Sequence, residues 1–245
     1  MKNRTLKTGE QTVAYRSGGT GQCTVVLLSG LGDGMKTWDY IASCLEPHVR
    51  TFSYDRPGYG GSSHVPNCKA GRDGQFVANH LKACLDGADI QPPYILVGHS
   101  IGGLYALAFV NAYPELVSGL VLIDSRMPAF SSACLRAGLS PEPNWFVRLL
   151  LPRQMKAEVR GAPAAERQAA RPENLRGLPV TAIVASRCDR GFGQVMFEIF
   201  KQIQIDFIGQ VELGRTVIAE ASGHYVHHDE PSLVIEEILQ MARSL

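Results

Sequence analysis

The sequence predicts an α/β fold, with a mostly parallel central sheet flanked by helices, in a single domain over residues 1–245. Short apolar runs alternate along the chain with longer helical patterns, which is typical of parallel strands joined by right-handed helical crossovers. Two runs, Val25–Leu28 and Leu120–Ile123, are continuously apolar. Strands covered by helices on both faces have this pattern. The length of 245 residues also fits one α/β domain.

Seven strands and five helices follow from these patterns. The predicted strands are Thr12–Arg16, Thr24–Leu28, Thr51–Tyr54, Tyr94–Val97, Leu120–Ile123, Thr181–Ala185 and Thr216–Ile218. The predicted helices are Thr37–Leu45, Gln75–Asp86, Ser100–Ala112, Phe192–Gln204 and Ser232–Ser244.

One segment, residues 126–178, breaks the alternation of strands and helices. It is rich in proline and holds an apolar helical piece, Trp145–Leu151, and an Ala/Glu/Arg-rich piece, Ala164–Arg171. A long insertion at the strand ends of an α/β sheet lies where a lid would cover a site. We therefore predict a small helical lid (cap). The alternative is an elaboration that packs its apolar helices on the body of the domain.

Composition and charge narrow the class of protein. Apolar residues make up 45% of the chain and charged residues only 19%, which excludes a disordered chain. The formal net charge of +1 does not supply the basic field that nucleic-acid binding needs, so no nucleic-acid partner is expected. The oligomeric state stays open, because a charge near zero permits association without specifying it.

The cysteines and the apolar runs predict a cytoplasmic protein. Six cysteines are scattered without metal or redox spacing, as expected of thiols in a reducing compartment. The basic start Met1–Thr8 has no apolar stretch after it, so no signal peptide is expected. The longest apolar runs, such as Leu104–Val110, are far shorter than the ~20 residues of a membrane span.

A candidate nucleophile stands between a predicted strand and a predicted helix. The segment Gly98–Gly102 reads Gly-His-Ser-Ile-Gly, with Ser100 at its centre. Gly-x-Ser-x-Gly in a strand–turn–helix context displays the serine hydroxyl on a sharp turn. The helix N-terminus beside it offers free N–H groups to a developing anion. The alternative is a plain turn with a helix-capping serine.

On this motif and on four others taken up below, the chain resembles the α/β-hydrolase superfamily. The similarity is to its lid-bearing serine esterase/lipase-like branch, and it extends over nearly the whole chain. The resemblance implies an α/β-hydrolase fold with a small helical lid. Because position 100 is serine, the members that use a nucleophilic aspartate are excluded.

The general base expected from the resemblance is His224. It lies in Gly223-His224 ahead of the acidic-Pro pair Glu230-Pro231, between the last predicted strand and the C-terminal helix. His99 is adjacent to Ser100, and its side chain should point away from the serine hydroxyl on a tight turn. A metal site formed with the neighbouring His227 and His228 is disfavoured, because the spacing lacks a His-Glu-x-x-His helix.

Two aspartates compete for the acid that orients His224. Asp189 follows the strand Thr181–Ala185 at the family's usual position, and the chain order Ser100, Asp189, His224 suits this fold. We therefore expect Asp189 to be the acid, although Ser186 stands where the family usually has glycine. The alternative is Asp124, after the strand Leu120–Ile123, where some lipase-like relatives place their acid.

The oxyanion hole and a supporting turn complete the resemblance. The family draws one N–H from the residue after the nucleophile, here Ile101, and another from the loop Ser29–Gly34, here Leu31. The usual His-Gly of that loop is Ser29-Gly30, a change expected to alter loop support rather than the donor. The segment Tyr54–Ser63 resembles the family's Asp-x-Pro-Gly-x-Gly-x-Ser turn, whose role is to buttress the oxyanion loop.

These features predict a carboxylic ester hydrolase, a carboxylesterase that acts on a small or medium ester through an acyl-enzyme intermediate. Neither a metal nor an organic cofactor is implied. The apolar residues Trp145, Phe146, Leu149 and Leu150 favour an apolar substrate pocket. The same residues could serve a lactonase, a thioesterase, a C–C bond hydrolase or a cofactor-free perhydrolase.

Two readings from other classes are weaker. A ligand receptor on this fold would turn over little, whereas an intact set of catalytic residues favours turnover. A dinucleotide-binding protein would use Gly30 and Gly32 with Asp55, but Met35 stands where that fingerprint needs its third small residue.

Overall fold

The architecture comes from a computed structural model that describes residues 3–64, 71–189 and 193–245. Eight strands form one sheet in the order β1-β2-β4-β3-β5-β6-β7-β8. The first two pairings, β1 with β2 and β2 with β4, are antiparallel, and all others are parallel. The predicted α/β fold with a mostly parallel sheet is confirmed.

The strands lie close to the predicted positions. They are β1 Arg4–Thr8, β2 Gln11–Gly18, β3 Thr24–Leu28, β4 Arg50–Tyr54, β5 Tyr94–His99, β6 Val117–Ile123, β7 Val180–Ala185 and β8 Gly214–Ala219. β1 was not expected from the sequence. It is a largely exposed edge strand, Arg-Thr-Leu-Lys-Thr, without the apolar run that marks the inner strands.

Nine α-helices are found in the described residues. They are α1 Asp39–Leu45, α2 Gly74–Gly87, α3 Ile101–Ala112, α4 Phe130–Arg136, α5 Trp145–Leu150, α6 Arg153–Gln168, α7 Gln194–Ile208, α8 Val226–Asp229 and α9 Pro231–Arg243. The predicted helix start at Phe192 lies outside the described residues.

Both faces of the sheet are covered, as the continuous apolar runs predicted. In β3, Val26 and Leu28 belong to a core cluster with residues of α2, α3 and α6. The alternate residues Val25 and Leu27 belong to a second cluster with residues of α1 and α9. Successive side chains of a strand point to opposite faces, so an inner strand must be apolar throughout.

The segment 126–178 contributes α4, α5 and α6, and α6 is attached to the body of the domain. The amide of Arg72 donates to the carbonyl of Ala157 at 2.8 Å, and the amide of Gln75 donates to Oε1 of Gln168 at 3.0 Å. In contrast, α5 buries none of its residues. The role of this segment as a lid stays a prediction.

Two further observations concern the helices and the cysteines. No helix among the described residues is long and apolar enough to cross a membrane. The described cysteines, Cys23, Cys44, Cys84, Cys134 and Cys188, are free thiols. Cys68 lies outside the described residues.

Candidate active site

Ser100 occupies a strained turn between β5 and α3. Its backbone angles are φ 55° and ψ −122°, in a region that costs a non-glycine residue about 1–3 kcal/mol. The amide of Ser100 donates to the carbonyl of Ile123 at 3.1 Å, and the carbonyl of Ser100 accepts from the amide of Arg126 at 3.0 Å. The neighbouring strand β6 and the residues after it therefore hold the turn in place.

The glycines of the motif are required by close packing. A Cβ atom on Gly98 would lie 2.5 Å from the Cα of Gly103, and one on Gly102 would overlap the carbonyl oxygen of Leu28. Side chains at either position would push the turn away from the sheet. The local sequence thus dictates the turn that displays the Ser100 hydroxyl at the start of α3.

His224 lies in the loop between β8 and α8, and its ring is held by Asp124. The Nδ1 of His224 is 2.6 Å from Oδ2 of Asp124, whose side chain is only 5% exposed. A carboxylate at Nδ1 fixes the tautomer in which Nε2 is the proton-accepting nitrogen. This arrangement gives His224 the orientation that a general base requires.

The expectation that Asp189 orients the His224 ring is wrong in this geometry. The Oδ2 of Asp189 accepts the main-chain N–H of His224 at 3.0 Å, and Oδ1 lies against the backbone of Gly223. Asp189 is exposed, whereas Asp124 is buried at the end of β6 beside the strand that carries Ser100. Asp189 therefore holds the loop, and Asp124 holds the ring.

A buried glutamine that sequence reasoning missed holds Asp124. Gln204 of α7 is fully buried; its Nε2 donates to Oδ1 of Asp124 at 3.0 Å, and its Oε1 accepts from the amide of Ser125 at 2.8 Å. The amide of Ala185 also donates to Oδ1 of Asp124 at 3.3 Å. The only sequence signal was a polar residue within an apolar helical pattern.

As expected of a side chain that points away from the nucleophile, His99 contacts and supports the loop that carries His224. Its Nε2 donates to the carbonyl of His224 at 2.8 Å, and its ring packs against that of His224 at 4.7 Å between centroids. Burial lowers the pKa of His99 well below its ordinary value, and the neighbouring His224 and His227 lower it further. His99 is therefore neutral.

Two histidines of α8, His227 and His228, contact residues that precede α1. The centroids of the His227 and Trp38 rings lie 4.6 Å apart, and burial lowers the pKa of His227 to about 3. The Nε2 atoms of His227 and His228 each lie 3.0 Å from the Thr37 hydroxyl. Within residues 3–64, 71–189 and 193–245, no group of three or more His, Cys, Asp or Glu side chains is arranged to hold a metal ion.

The loop after β3 contains Leu31, whose main-chain N–H the sequence predicts as an oxyanion donor. Nη2 of Arg56 donates to the carbonyl of Gly30 at 2.7 Å, and Nη1 donates to the carbonyl of Ser29 at 2.6 Å. The Gly30 carbonyl and the Leu31 N–H share one planar trans peptide and point in opposite directions. The Leu31 N–H is thereby directed away from Arg56. The second expected donor, Ile101, is the first residue of α3, and the N–H groups of the first helical turn have no carbonyl partner within the helix.

Arg56 is itself held by a buried ion pair that sequence reasoning missed. Its Nε donates to Oε1 of Glu158 at 2.7 Å, with 3% and 0% of the two side chains exposed. Tyr59 donates its hydroxyl to the same carboxylate at 2.9 Å. Burial lowers the pKa of Arg56, but the charge and the hydrogen bond of Glu158, together with Tyr59 and Tyr105, raise the pKa above its ordinary value. Helix α6 is thus linked to the oxyanion loop.

The neighbouring residues also brace this loop. Ser29 accepts from the indole N–H of Trp38 at 3.0 Å and donates to the carbonyl of Gly34 at 3.0 Å. Asp55 accepts the amides of Met35 at 2.7 Å and of Gly61 at 2.9 Å. Asp55 is 3% exposed and fully engaged, so it does not offer the ribose-binding carboxylate that a dinucleotide site needs.

One cavity of about 470 Å³, a volume suited to a small ligand, brings four of the five predicted site residues together. Ser100, His224, Leu31 and Ile101 all line it. The rest of the wall is mainly apolar and comes largely from the segment 126–178 and from α7: Phe130, Pro141, Pro143, Val147, Val159, Ala162, Met196 and Phe200. Arg126, Ser140, Glu142 and Asn144 add polar groups. The site can therefore place a serine nucleophile, a base and two N–H donors around an apolar substrate.

Comparison with known proteins relates most of the chain to one family. The model of the alpha/beta hydrolase family matches residues 25–237. The structure superposes on that of a thermophilic esterase from Thermogutta terrifontis with a TM-score of 0.68 and 18% identity. That superposition covers 100% of this chain and 99% of the other, and at this identity it bears on the fold alone.

Two curated relatives match about half of the chain. A pimeloyl-[acyl-carrier protein] methyl ester esterase of Yersinia enterocolitica is 34% identical over 126 residues, or 51% of this chain and 44% of that protein. A 2-hydroxy-6-oxononadienedioate/2-hydroxy-6-oxononatrienedioate hydrolase of Cupriavidus pinatubonensis is 40% identical over 109 residues, or 43% of this chain and 37% of that protein. Each alignment thus spans less than half of the relative's length.

Proposed function

Because the chain belongs to the alpha/beta hydrolase family, we propose that it is a serine hydrolase that cleaves a small or medium carboxylic ester. The single observation that carries the proposal is one cavity lined both by Ser100, on its strained turn, and by His224, whose ring Asp124 holds. The similarity to an esterase of Yersinia enterocolitica supports ester chemistry.

The reaction proceeds in two halves. Ser100 attacks the acyl carbon while His224 takes its proton, and His224 then returns that proton to the leaving alcohol. The N–H groups of Leu31 and Ile101 bind the oxyanion of the tetrahedral intermediate. A water molecule activated by His224 then attacks the acyl-enzyme and releases the acid. Asp124 keeps the His224 ring in the required tautomer and stabilises its cationic form.

The apolar wall of the cavity sets the expected substrate preference. An aliphatic or aromatic acyl group would bury apolar surface against residues that line the same cavity as Ser100: Phe130, Val147, Val159, Met196 and Phe200. A volume of about 470 Å³ favours a medium rather than a very short acyl chain. The cytoplasmic location stays a prediction that the free described cysteines support.

A second candidate activity is hydrolysis of a carbon–carbon bond. It is supported by the similarity to the hydrolase that acts on 2-hydroxy-6-oxononadienedioate, a keto acid without an ester bond. Hydrolysis of such a compound must break a bond between carbons. The same serine, base and oxyanion donors can stabilise the intermediates of that reaction.

The test is hydrolysis of p-nitrophenyl esters of increasing acyl length, alongside a 2-hydroxy-6-keto dienoate. The native chain is expected to cleave the esters with an optimum at medium length, and Ser100→Ala is expected to abolish turnover. Ser132→Ala, an exposed serine of α4, is the matched control and should retain full activity. Ester hydrolysis that survives in Ser100→Ala would contradict the proposal, and turnover of the dienoate alone would favour the second candidate.

A further inference from the structure

Helix α5 exposes a cluster of large apolar side chains. Five of its six residues are apolar, and each is well exposed: Trp145 77%, Phe146 56%, Val147 42%, Leu149 64% and Leu150 70%. We call these five side chains the α5 patch. Single exposed apolar residues are ordinary on a protein surface, but a contiguous patch marks a surface that contacts a partner or a membrane.

A row of cations adjoins the α5 patch. Arg153, Lys156 and Arg160 have the i, i+3, i+7 spacing that places side chains on one face of α6. Lys156 donates its ammonium to the carbonyl of Leu149 at 2.8 Å, which joins this cationic face to the patch. Arg153 and Arg160 are exposed.

The acids of the same helix do not neutralise this row. Glu158 is buried against Arg56, and Glu166 is buried against Arg126. Both carboxylates therefore face the body of the domain. The exposed face of α6 beside the patch is accordingly positive, although the whole chain carries a formal charge of only +1.

We propose that the α5 patch and the cationic face of α6 form a docking surface for an anionic phospholipid bilayer. Tryptophan, phenylalanine and leucine side chains insert at the boundary between headgroups and acyl chains, while adjacent Lys and Arg side chains bind anionic headgroups. A two-fold pair of these chains would instead bring one cationic row against another, which charge repulsion opposes.

The docking surface adjoins the cavity that Ser100 lines. Asn144 and Val147, at the start of α5, line the same cavity as Ser100. A chain docked through α5 therefore holds the rim of its cavity at the lipid boundary. The docking itself does not depend on the proposed ester hydrolysis.

The test uses Ser100→Ala protein, so that its outcome is independent of catalysis. Binding is measured by co-sedimentation with vesicles of phosphatidylcholine alone and of phosphatidylcholine mixed with phosphatidylglycerol. Tryptophan emission gives a second readout, because the chain has two tryptophans and only Trp145 is exposed, Trp38 being fully buried. We expect binding to the anionic vesicles with a blue shift of the emission, and much weaker binding to phosphatidylcholine alone.

Two double variants locate the surface. Phe146→Ser/Leu150→Ser removes apolar contacts while keeping the Trp145 reporter, and Arg153→Gln/Arg160→Gln removes two charges. Each basic residue near an anionic membrane surface contributes to the free energy of binding, so the loss of two such residues should weaken binding about 30-fold. The matched controls are Tyr40→Ser/Val195→Ser, both 62% exposed, and Arg176→Gln/Arg243→Gln, both of which should bind as the parent does.

Three results would overturn the proposal. One is failure of the parent to bind anionic vesicles, and another is binding that neither patch variant weakens. The third is concentration-dependent dimerisation in sedimentation velocity that Phe146→Ser/Leu150→Ser abolishes, which would assign the patch to a second copy. If the apolar variant fails to fold by circular dichroism, the charge variant alone decides, because it alters only exposed side chains.

Discussion

Replacing Glu158 with glutamine tests whether the buried ion pair supports both the fold and the oxyanion loop. The substitution keeps the shape of the side chain but removes its charge. Arg56, 3% exposed, would lose the carboxylate at 2.7 Å, and Arg72, 2% exposed, would lose the same carboxylate at 3.7 Å. Breaking a buried pair on one side costs about 3–5 kcal/mol, because the remaining charge stays buried without compensation.

We expect Glu158→Gln to lower the free energy of unfolding by about 3 kcal/mol, the lower end of that range, since the amide oxygen still accepts one hydrogen bond. The loss is measured by urea unfolding at pH 7, with the exposed Glu173→Gln as the control. Activity should fall as well, by at most the ~10²–10³ that one oxyanion donor contributes, because Arg56 orients the peptide of Leu31.

The double variant Arg56→Met/Glu158→Leu separates the two effects. It removes both charges and replaces them with apolar side chains of similar volume, a change that is often neutral or stabilising. Stability should therefore recover in part, because Arg72 still loses the carboxylate. Activity should stay low, because the carbonyls of Ser29 and Gly30 lose their donor. A Glu158→Gln variant as stable and as active as the native chain would refute the reasoning.

Two further predictions follow from packing and from buried histidines. Gly102→Ala should destabilise the fold by about 1–3 kcal/mol and abolish ester hydrolysis, because the new Cβ overlaps a carbonyl oxygen of β3. Thermal melting measures the loss of stability. The control Gly87→Ala should be tolerated, because its Cβ would meet nothing closer than 3.5 Å. The free energy of unfolding should fall as pH drops below about 6.5, because burial lowers the pKa of His80 to about 4 and that of His227 to about 3, so the unfolded chain alone takes up these protons. Each such histidine contributes about 1.4 kcal/mol per pH unit between its folded and unfolded pKa values. Urea unfolding at pH 7 and pH 5 should show a smaller pH dependence for His80→Gln than for the exposed His48→Gln, and equal dependence in the two would contradict the assignment.

The inner sheet and the nucleophile turn could be predicted because their signals are local. A strand covered on both faces must be apolar throughout, and the turn at Ser100 needs glycines at fixed offsets. The edge strand β1 carries neither signal, because Leu6 is the only apolar residue among its five. It forms by pairing with β2, and its own sequence does not predict that contact.

The local sequence around each aspartate could not identify which one orients His224. Asp124 and Asp189 each follow a predicted strand, so the sequence supports either one. The choice is made by the loop after β8, where Gly223 lets the Asp189 carboxylate approach the main chain and leaves the His224 ring to Asp124. The partners that support this arrangement lie far apart in the sequence, as Gln204 does from Asp124 with a separation of 80 residues.

The most direct test of the account compares Asp124→Asn with Asp189→Asn in the hydrolysis of a medium-chain p-nitrophenyl ester. Asp124→Asn should lower kcat by about 10⁴, because the amide no longer fixes the His224 tautomer. Asp189→Asn should retain activity within about 10-fold, since an amide oxygen still accepts the main-chain N–H of His224. A large loss in Asp189→Asn together with near-native activity in Asp124→Asn would contradict the triad of Ser100, His224 and Asp124.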